Sequence, residues 1–251
     1  MRKTIEVAGM LGWHDIRQAY RRSAIGQFWI TLGMAIQITA MGIVFGSIFG
    51  AQGDDYVPFL AISIVIWTFM TNTINEGSKS FIAAESLIKQ LPLDPAVHFV
   101  RVVWKNFVMF GHNFVLLPFV LVIFAVEVNA GLLLFIPALI LLVANQSWIV
   151  ALIGLASARF RDLPLIVASV LTIAFFVTPV MWFPELLPPQ TAHFLLGYNP
   201  LYHLLQIVRL PLLGDFATFA NWGLSAAFLV AGAALTSWAY SRFSKQIPFW
   251  L

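Results

Sequence analysis

The chain has no cysteine and little charge: Lys, Arg, Asp and Glu together make up only 10% of its 251 residues. Without cysteine there can be no disulfide, thiolate metal site or cysteine nucleophile. There is no Gly-Lys dipeptide anywhere. The fragment Gly77-Ser78-Lys79-Ser80 is therefore not the phosphate loop G-x-x-x-x-G-K-[ST], and the chain does not bind ATP by that device. No Asp or Glu falls near the middle of a long apolar run; Glu76 and Glu127 sit toward run ends. Proton- and sodium-coupled carriers usually hold their ion on such groups or on broken helices, so secondary transport loses ground. The five histidines, at 14, 98, 112, 193 and 203, lack metal-ligand spacing. No basic tag with a short apolar core and a small-residue cleavage site opens the chain, so no removable signal peptide is expected.

What is present is apolar: 60% of the residues are hydrophobic, which fits an all-α integral membrane protein. Runs near the roughly 20 residues needed to cross a bilayer predict six transmembrane helices, at 27–50, 57–76, 97–126, 131–157, 163–183 and 219–241. All but Arg209 of the 14 basic residues lie in the amino-terminal segment, the 2–3 and 4–5 connections, or the tail at 242–251. The positive-inside rule then puts both termini in the cytoplasm. Asp54, Asp55, Glu127, Glu185 and Asp215 fall on the opposite connections.

Three segments do not span. The amino-terminal segment, 1–26, places Trp13, Ile16 and Tyr20 near one helical face and Arg17, Arg21 and Arg22 mostly away from it. It reads as an amphipathic helix lying in the interface, or as a basic leader that only orients the first span. Residues 184–213 hold two apolar stretches too short to cross, expected as re-entrant or interfacial helices on the outer side. Asn199 suits an N-cap and Pro200 a first turn, with a stop near Pro211 and Gly214. Arg209 in that helix requires a partner or a wet cavity; the segment is either a packed lid or a moving gate. Between spans 2 and 3, residues 79–92 form a short helix with Phe81, Ala84, Ile88 and Leu91 on one face and Glu85 paired with Lys89 elsewhere. So short a helix is marginal alone, so its apolar face must bury against something, and the orientation puts that partner in the cytoplasm.

Gly42, Gly46 and Gly50 form a G-x-x-x-G-x-x-x-G ridge, for packing within the bundle or for a dimer seam. Phe175, Phe176, Trp182, Phe183, Tyr198 and Tyr202 gather at the outer end of span 5 and beyond. Such rings stack on sugars and seal gates, and an aromatic belt at headgroup level predicts the same clustering.

The ordered set Asp15-Ile16-Arg17-Gln18-Ala19-Tyr20-Arg21-Arg22 through Trp29, then Arg159-Phe160-Arg161-Asp162, then Thr178-Pro179-Val180-Met181-Trp182, then Tyr198-Asn199-Pro200 with Arg209 downstream, resembles the membrane subunits of type-two ABC (ATP-binding cassette) exporters of bacterial polysaccharides. These are the O-antigen, capsule and wall teichoic acid permeases. The resemblance runs over essentially the whole chain. It implies a homodimer in the bacterial inner membrane with two copies of a cytoplasmic ABC ATPase, which carries the ATP and magnesium; no cofactor is implied for this chain and no nucleic acid partner. It also implies that 79–92 is a coupling helix docked on the ATPase through Phe81, Ala84, Glu85, Ile88, Lys89 and Leu91, that Arg161 and Asp162 face the ATPase too, and that 184–213, with Asn199, Pro200 and Arg209, forms the outer gate. The implied cargo is a polysaccharide on a polyprenyl diphosphate lipid, with Arg17, Arg21 and Arg22 as attractors of the diphosphate.

Two other readings compete. One is a related permease for a drug or lipid. The other is a membrane-embedded glycosyl- or acyltransferase, for which Asp94, His98 and Asp162 are the catalytic candidates.

Overall fold

Proline and capping residues mark most of the breaks between helices. A computed structural model of the chain describes residues 2–19, 21, 26, 28–49, 53–91, 93–127 and 129–251. Within these, helices α1 (Arg2–Ala19), α2 (Phe28–Phe49), α3 (Gly53–Ser78), α4 (Glu85–Gln90), α5 (Ala96–Phe114), α6 (Leu116–Ile123), α7 (Phe135–Arg159), α8 (Leu163–Val177), α9 (Pro189–Gly197), α10 (Pro200–Leu212), α11 (Phe219–Phe243) and α12 (Ile247–Trp250) follow in chain order. No β-strand occurs among the described residues.

Among the described residues, five stretches are long and apolar enough to cross a membrane: Phe28–Ile48, Asp55–Ser78, Ala96–Ile123, Ala130–Arg159 and Phe219–Trp250. They match five of the six expected spans. The remaining one, expected over 163–183, is the 15-residue helix α8, roughly 22 Å long at 1.5 Å per residue and short of the ~30 Å hydrocarbon core. Pro179 is the reason. It disfavours the α conformation at the residue before it, and Thr178 is extended at φ −90°, ψ 133°. The third span is likewise interrupted, at Val115 between α5 and α6. Pro118 lies three residues on, where its missing N–H and its ring act against the carbonyl of Phe114.

Helix α3 is the hub, with α2, α5, α6, α7, α8 and α10 packed around it. Tyr56 and the run from Phe59 to Trp67 are buried whichever way they point, as expected for a helix apolar all round. Helices α2 and α11 are covered on one side, leaving Ile36, Ile43, Ile48, Val230, Leu235 and Trp238 exposed. The glycine ridge of α2 is spent inside the chain: a Cβ at Gly42 would lie 3.3 Å from Val57, and one at Gly46 3.5 Å from Tyr56. Gly50 lies outside the described residues. A second close approach, not read from the sequence, joins α3 to α7. A Cβ at Gly154 would stand 2.7 Å from Ser80 Oγ and 3.0 Å from Gly77 O.

Helix α1 lies along α5. Its inner face is Ala8, Gly12 and Ile16, all buried, and the Asp15–Arg101 ion pair fastens the two helices. Of the described residues of the expected apolar face, Ile16 points inward and Trp13 does not. Trp13 is 48% exposed, and Tyr20 lies outside the described residues. The small side chains are what allow α1 to approach the backbone of α5, where a Cβ at Gly12 would already be 3.2 Å from Arg101 O.

Candidate functional site

The expected coupling segment differs from a single helix over 79–92. Residues 79–84 form consecutive turns, followed by the six-residue α4; Pro92 lies outside the described residues. Phe81 is fully buried and Ala84 nearly so. Phe81 packs with Leu155 and Ala158 of α7, Ala239 of α11 and Ile247 of α12, and Ile88 lies against the same cluster. The expectation that this face needs a partner from outside is therefore corrected, because α7, α11 and the tail already supply one. Burying a phenylalanine is worth about 2–3 kcal/mol, enough to hold so short a helix in place.

What the segment leaves open is its other side. Ala83, Ser86, Lys89 and Gln90 are exposed, and Leu91 is 46% exposed. Glu85 accepts from Lys89 Nζ at 2.7 Å and lies 3.5 Å from Arg161 Nη2. Two connections far apart in sequence thus meet on one carboxylate. The Lys89 hydrogen bond first, then the charges of Lys89 and Arg161, hold that carboxyl below its ordinary range, against an opposing desolvation. Arg161 also donates to Leu251 O at 3.0 Å, and Arg159 sits over the Trp250 ring at 5.6 Å. Asp162 is exposed, and its backbone carbonyl accepts from the amides of Leu165 and Ile166 in the first turn of α8.

Arg17 and Arg21 are exposed and share a hollow of about 410 Å³ with His14 and Gln18. Arg22, expected beside them, lies outside the described residues. The transferase candidates have other surroundings. Asp94 Oδ1 accepts from Ala96 N and from the Tyr240 hydroxyl, both at 2.9 Å, which caps α5 and ties it to α11. His98 is buried. Among the described residues no group of three or more His, Cys, Asp or Glu is placed to hold a metal ion.

At the other end, the two motif stretches around Pro179 and Asn199 lock together. Asn199 Oδ1 accepts from the amides of Leu201 and Tyr202, at 3.0 and 3.2 Å, so it caps α10 as expected. Its Nδ2 donates to Thr178 Oγ1 at 2.9 Å, with Pro200 opening α10 behind it. Arg209, 1% exposed, donates to Pro179 O at 2.7 Å, Ser63 Oγ at 2.9 Å and Gln206 Oε1 at 2.9 Å. Its guanidinium carbon lies 4.2 Å from the Phe59 ring centroid. Gln206 in turn donates to the Tyr202 hydroxyl at 2.8 Å, and Tyr56 donates to Met181 O at 2.7 Å. Arg209 also borders a cavity of about 700 Å³ rimmed by Asp55, Glu127, Glu185 and Asp215. The sequence required partners for Arg209; Ser63 and Phe59 were not legible as those partners, because both look like ordinary residues of a hydrophobic run.

The six aromatics do not form one cluster. Phe183 is drawn into the core against Phe59 and Tyr56, with centroids 4.5 and 5.8 Å apart. Tyr198 stands on the surface beside Phe194, Tyr202 belongs to the Gln206–Arg209 network, and Trp182 donates to Phe176 O at 3.2 Å. Phe175 and Phe176 instead join Trp67, Thr71, Asn75 and Thr172 in a groove of about 290 Å³ between α3 and α8. That groove combines ring faces with hydroxyl and amide groups at the depth of the long helices.

The family described as ABC-2 type transporter matches residues 8–213. The chain is similar to the O-antigen export system permease protein RfbA of Myxococcus xanthus, 22% identical over 196 residues that cover 76% of this chain and 74% of that one. It is also similar to the protein of the same name from Klebsiella pneumoniae, 22% identical over 194 residues covering 74% and 72%. With the family match spanning most of its length and five helices among the described residues long and apolar enough to cross a membrane, the chain belongs to the ABC-2 type transporter family of membrane proteins.

Proposed function

We propose that the chain is the permease subunit of an ATP-driven exporter that carries a polyprenyl-diphosphate-linked, O-antigen-like polysaccharide across the bacterial inner membrane. Family membership implies an ABC ATPase partner, and both relatives bear the name of O-antigen export permeases. The observation that carries the cargo is the α3–α8 groove. Trp67, Phe175 and Phe176 offer faces for sugar rings, while Thr71, Asn75 and Thr172 offer hydroxyl and amide groups for sugar hydroxyls. A polymer that slides needs many weak contacts of this kind rather than one tight site.

In this reading two copies face each other across the exposed side of α8, which carries Leu165, Ile166, Val170, Ile173 and Phe176. Helix α8 with the 178–183 turn makes the sixth crossing, and the basic connections lie in the cytoplasm. Arg17 and Arg21, with Arg22, attract the lipid diphosphate. The ATPase docks on the open side of the coupling segment, at Ser86, Lys89, Gln90 and Leu91 with Arg161 and Asp162. Because Phe81 is wedged among α7, α11 and α12, closure of the ATPase moves those helices together with α3, a two-state element biased from the cytoplasm. The segments over 184–213 respond as the outer gate.

The test is export of glycan lipid in vesicles holding the chain and its ATPase. Asn75→Leu with Thr172→Val should cut glycan export while the complex still assembles. Unchanged glycan export in that variant, or transport of small amphiphiles with none of glycan, would favour the drug or lipid permease instead.

A further inference from the structure

A groove of about 420 Å³ runs between the ends of α7 and α11 and the short helix α12, apart from the α3–α8 groove assigned to the cargo. Small side chains leave it open: Ala156 on α7 and Ala239 on α11 face it, and the buried Leu155 and Ala239 make its floor. Phe243 and Trp250 stand along it with ring centroids 6.0 Å apart, and the exposed Trp238 ring lies 6.1 Å from Phe243. The lining is apolar until the helix ends, where Arg159 and Gln246 border it.

The charge at that end is unbalanced. Arg159 is exposed, lies over the Trp250 ring, and has no carboxylate partner among the described residues. No acid lines the groove. Of the acids nearby, Glu85 is taken by Lys89 and Arg161, Asp94 accepts from Tyr240 and Ala96 N, and Asp162 is exposed. Arg242 and Lys245, exposed beside the end of α11, add two further cations. Exposed Phe160 and Phe249 flank the same end, the mixture of aromatic and basic residues that marks a membrane–water interface. A partner helix could fill the groove but would bring no anion to Arg159. A free anion would neutralise Arg159 and leave the apolar length in water. An amphiphile with a negative head satisfies both halves at once, and basic pockets between membrane helices recognise anionic headgroups in this way.

We propose that this groove holds an anionic phospholipid of the bilayer, one acyl chain lying along Leu155, Ala156 and Phe243 and the headgroup phosphate meeting Arg159 and the Gln246 amide. Gln246 and Trp250 flank Ile247, which is seated against Phe81. A bound lipid therefore pins the tail to α7 and steadies the coupling segment from its membrane side. That consequence rests on the proposed docking of the ATPase; the site itself rests on the groove and its charge, and stands or falls separately from the export reading.

The experiment is native mass spectrometry of the full chain in detergent, titrated with phosphatidylglycerol or with phosphatidylcholine of matched acyl chains. Phosphatidylglycerol should be retained about fivefold more tightly, the preference expected from one basic contact at the membrane surface. Arg159→Gln, at an exposed position, should erase that preference and leave phosphatidylcholine binding unchanged. Ala156→Phe, which fills the groove from a half-buried position, should weaken both lipids about tenfold through the loss of about two buried methylenes. Glycerol phosphate, a headgroup without chains, should not displace the lipid. Equal retention of the two lipids, or a preference that survives Arg159→Gln, would overturn the proposal. Binding indifferent to Ala156→Phe would place the lipid elsewhere and overturn it too, and displacement by glycerol phosphate would show an anion site without an acyl groove.

Discussion

Replacing Arg209 by alanine would strip a donor from Pro179 O, Ser63 Oγ and Gln206 Oε1 at once, in a site almost closed to water. The expected loss is roughly 3 kcal/mol or more, read as a fall in unfolding stability in detergent. Arg209→Lys should recover only part of it, because an ammonium cannot reproduce the planar fork that serves three acceptors. Glu85 gives a second prediction at this scale. Its carboxyl is held below the ordinary 4.5 chiefly by the Lys89 hydrogen bond. A depressed value means that the contribution is fully present above the unfolded value and is lost as pH falls through the folded one. The stability difference between wild type and Glu85→Gln should therefore be constant from neutral pH down to about 4.5 and vanish below that. A difference that grows as the solution is acidified would contradict the assignment.

The elements sort into those whose ends are written locally and those whose surroundings are not. Helix α10 was legible because Asn199, Pro200 and Gly214 act on neighbouring backbone. The early end of α8 was within reach of the same reasoning, since Pro179 disfavours helix at Thr178, but the apolar run continues past it and hides the stop. The destination of Phe81 was not legible, since it depends on Ile247 and Ala239 at the far end of the chain. This separates two substitutions that the sequence alone would treat as equivalent. Phe81→Ala should destabilise the fold by about 3–5 kcal/mol. Leu91→Asp, on the exposed side, should change stability by no more than about 0.5 kcal/mol yet abolish co-purification of the ATPase. Retention of the ATPase by Leu91→Asp would move the docking surface elsewhere. On α1 the small residues that bring it against α5 were not legible: Ala8 and Gly12 join Ile16 in that contact, and neither carries a strong apolar signal in the sequence.

For the whole molecule, apolar composition announces a helical membrane protein, and the order of motifs announces the family. The joint between those motifs appears only in three dimensions, where Thr178 meets Asn199 and Pro179 meets Arg209. The bundle then has a basic end, where Glu85, Lys89 and Arg161 converge, and an end closed by α10 over α3, joined by the buried length of α3. In the proposed function, the chain does no chemistry on ATP and its work depends on a partner pushing at the basic end. The most direct measurement is ATP-dependent movement of glycan lipid in proteoliposomes containing this chain, with and without its ABC ATPase. The account predicts no ATP hydrolysis by the chain alone, and glycan translocation only when chain, ATPase and ATP are all present. Hydrolysis by the purified chain, or translocation indifferent to the ATPase, would contradict it.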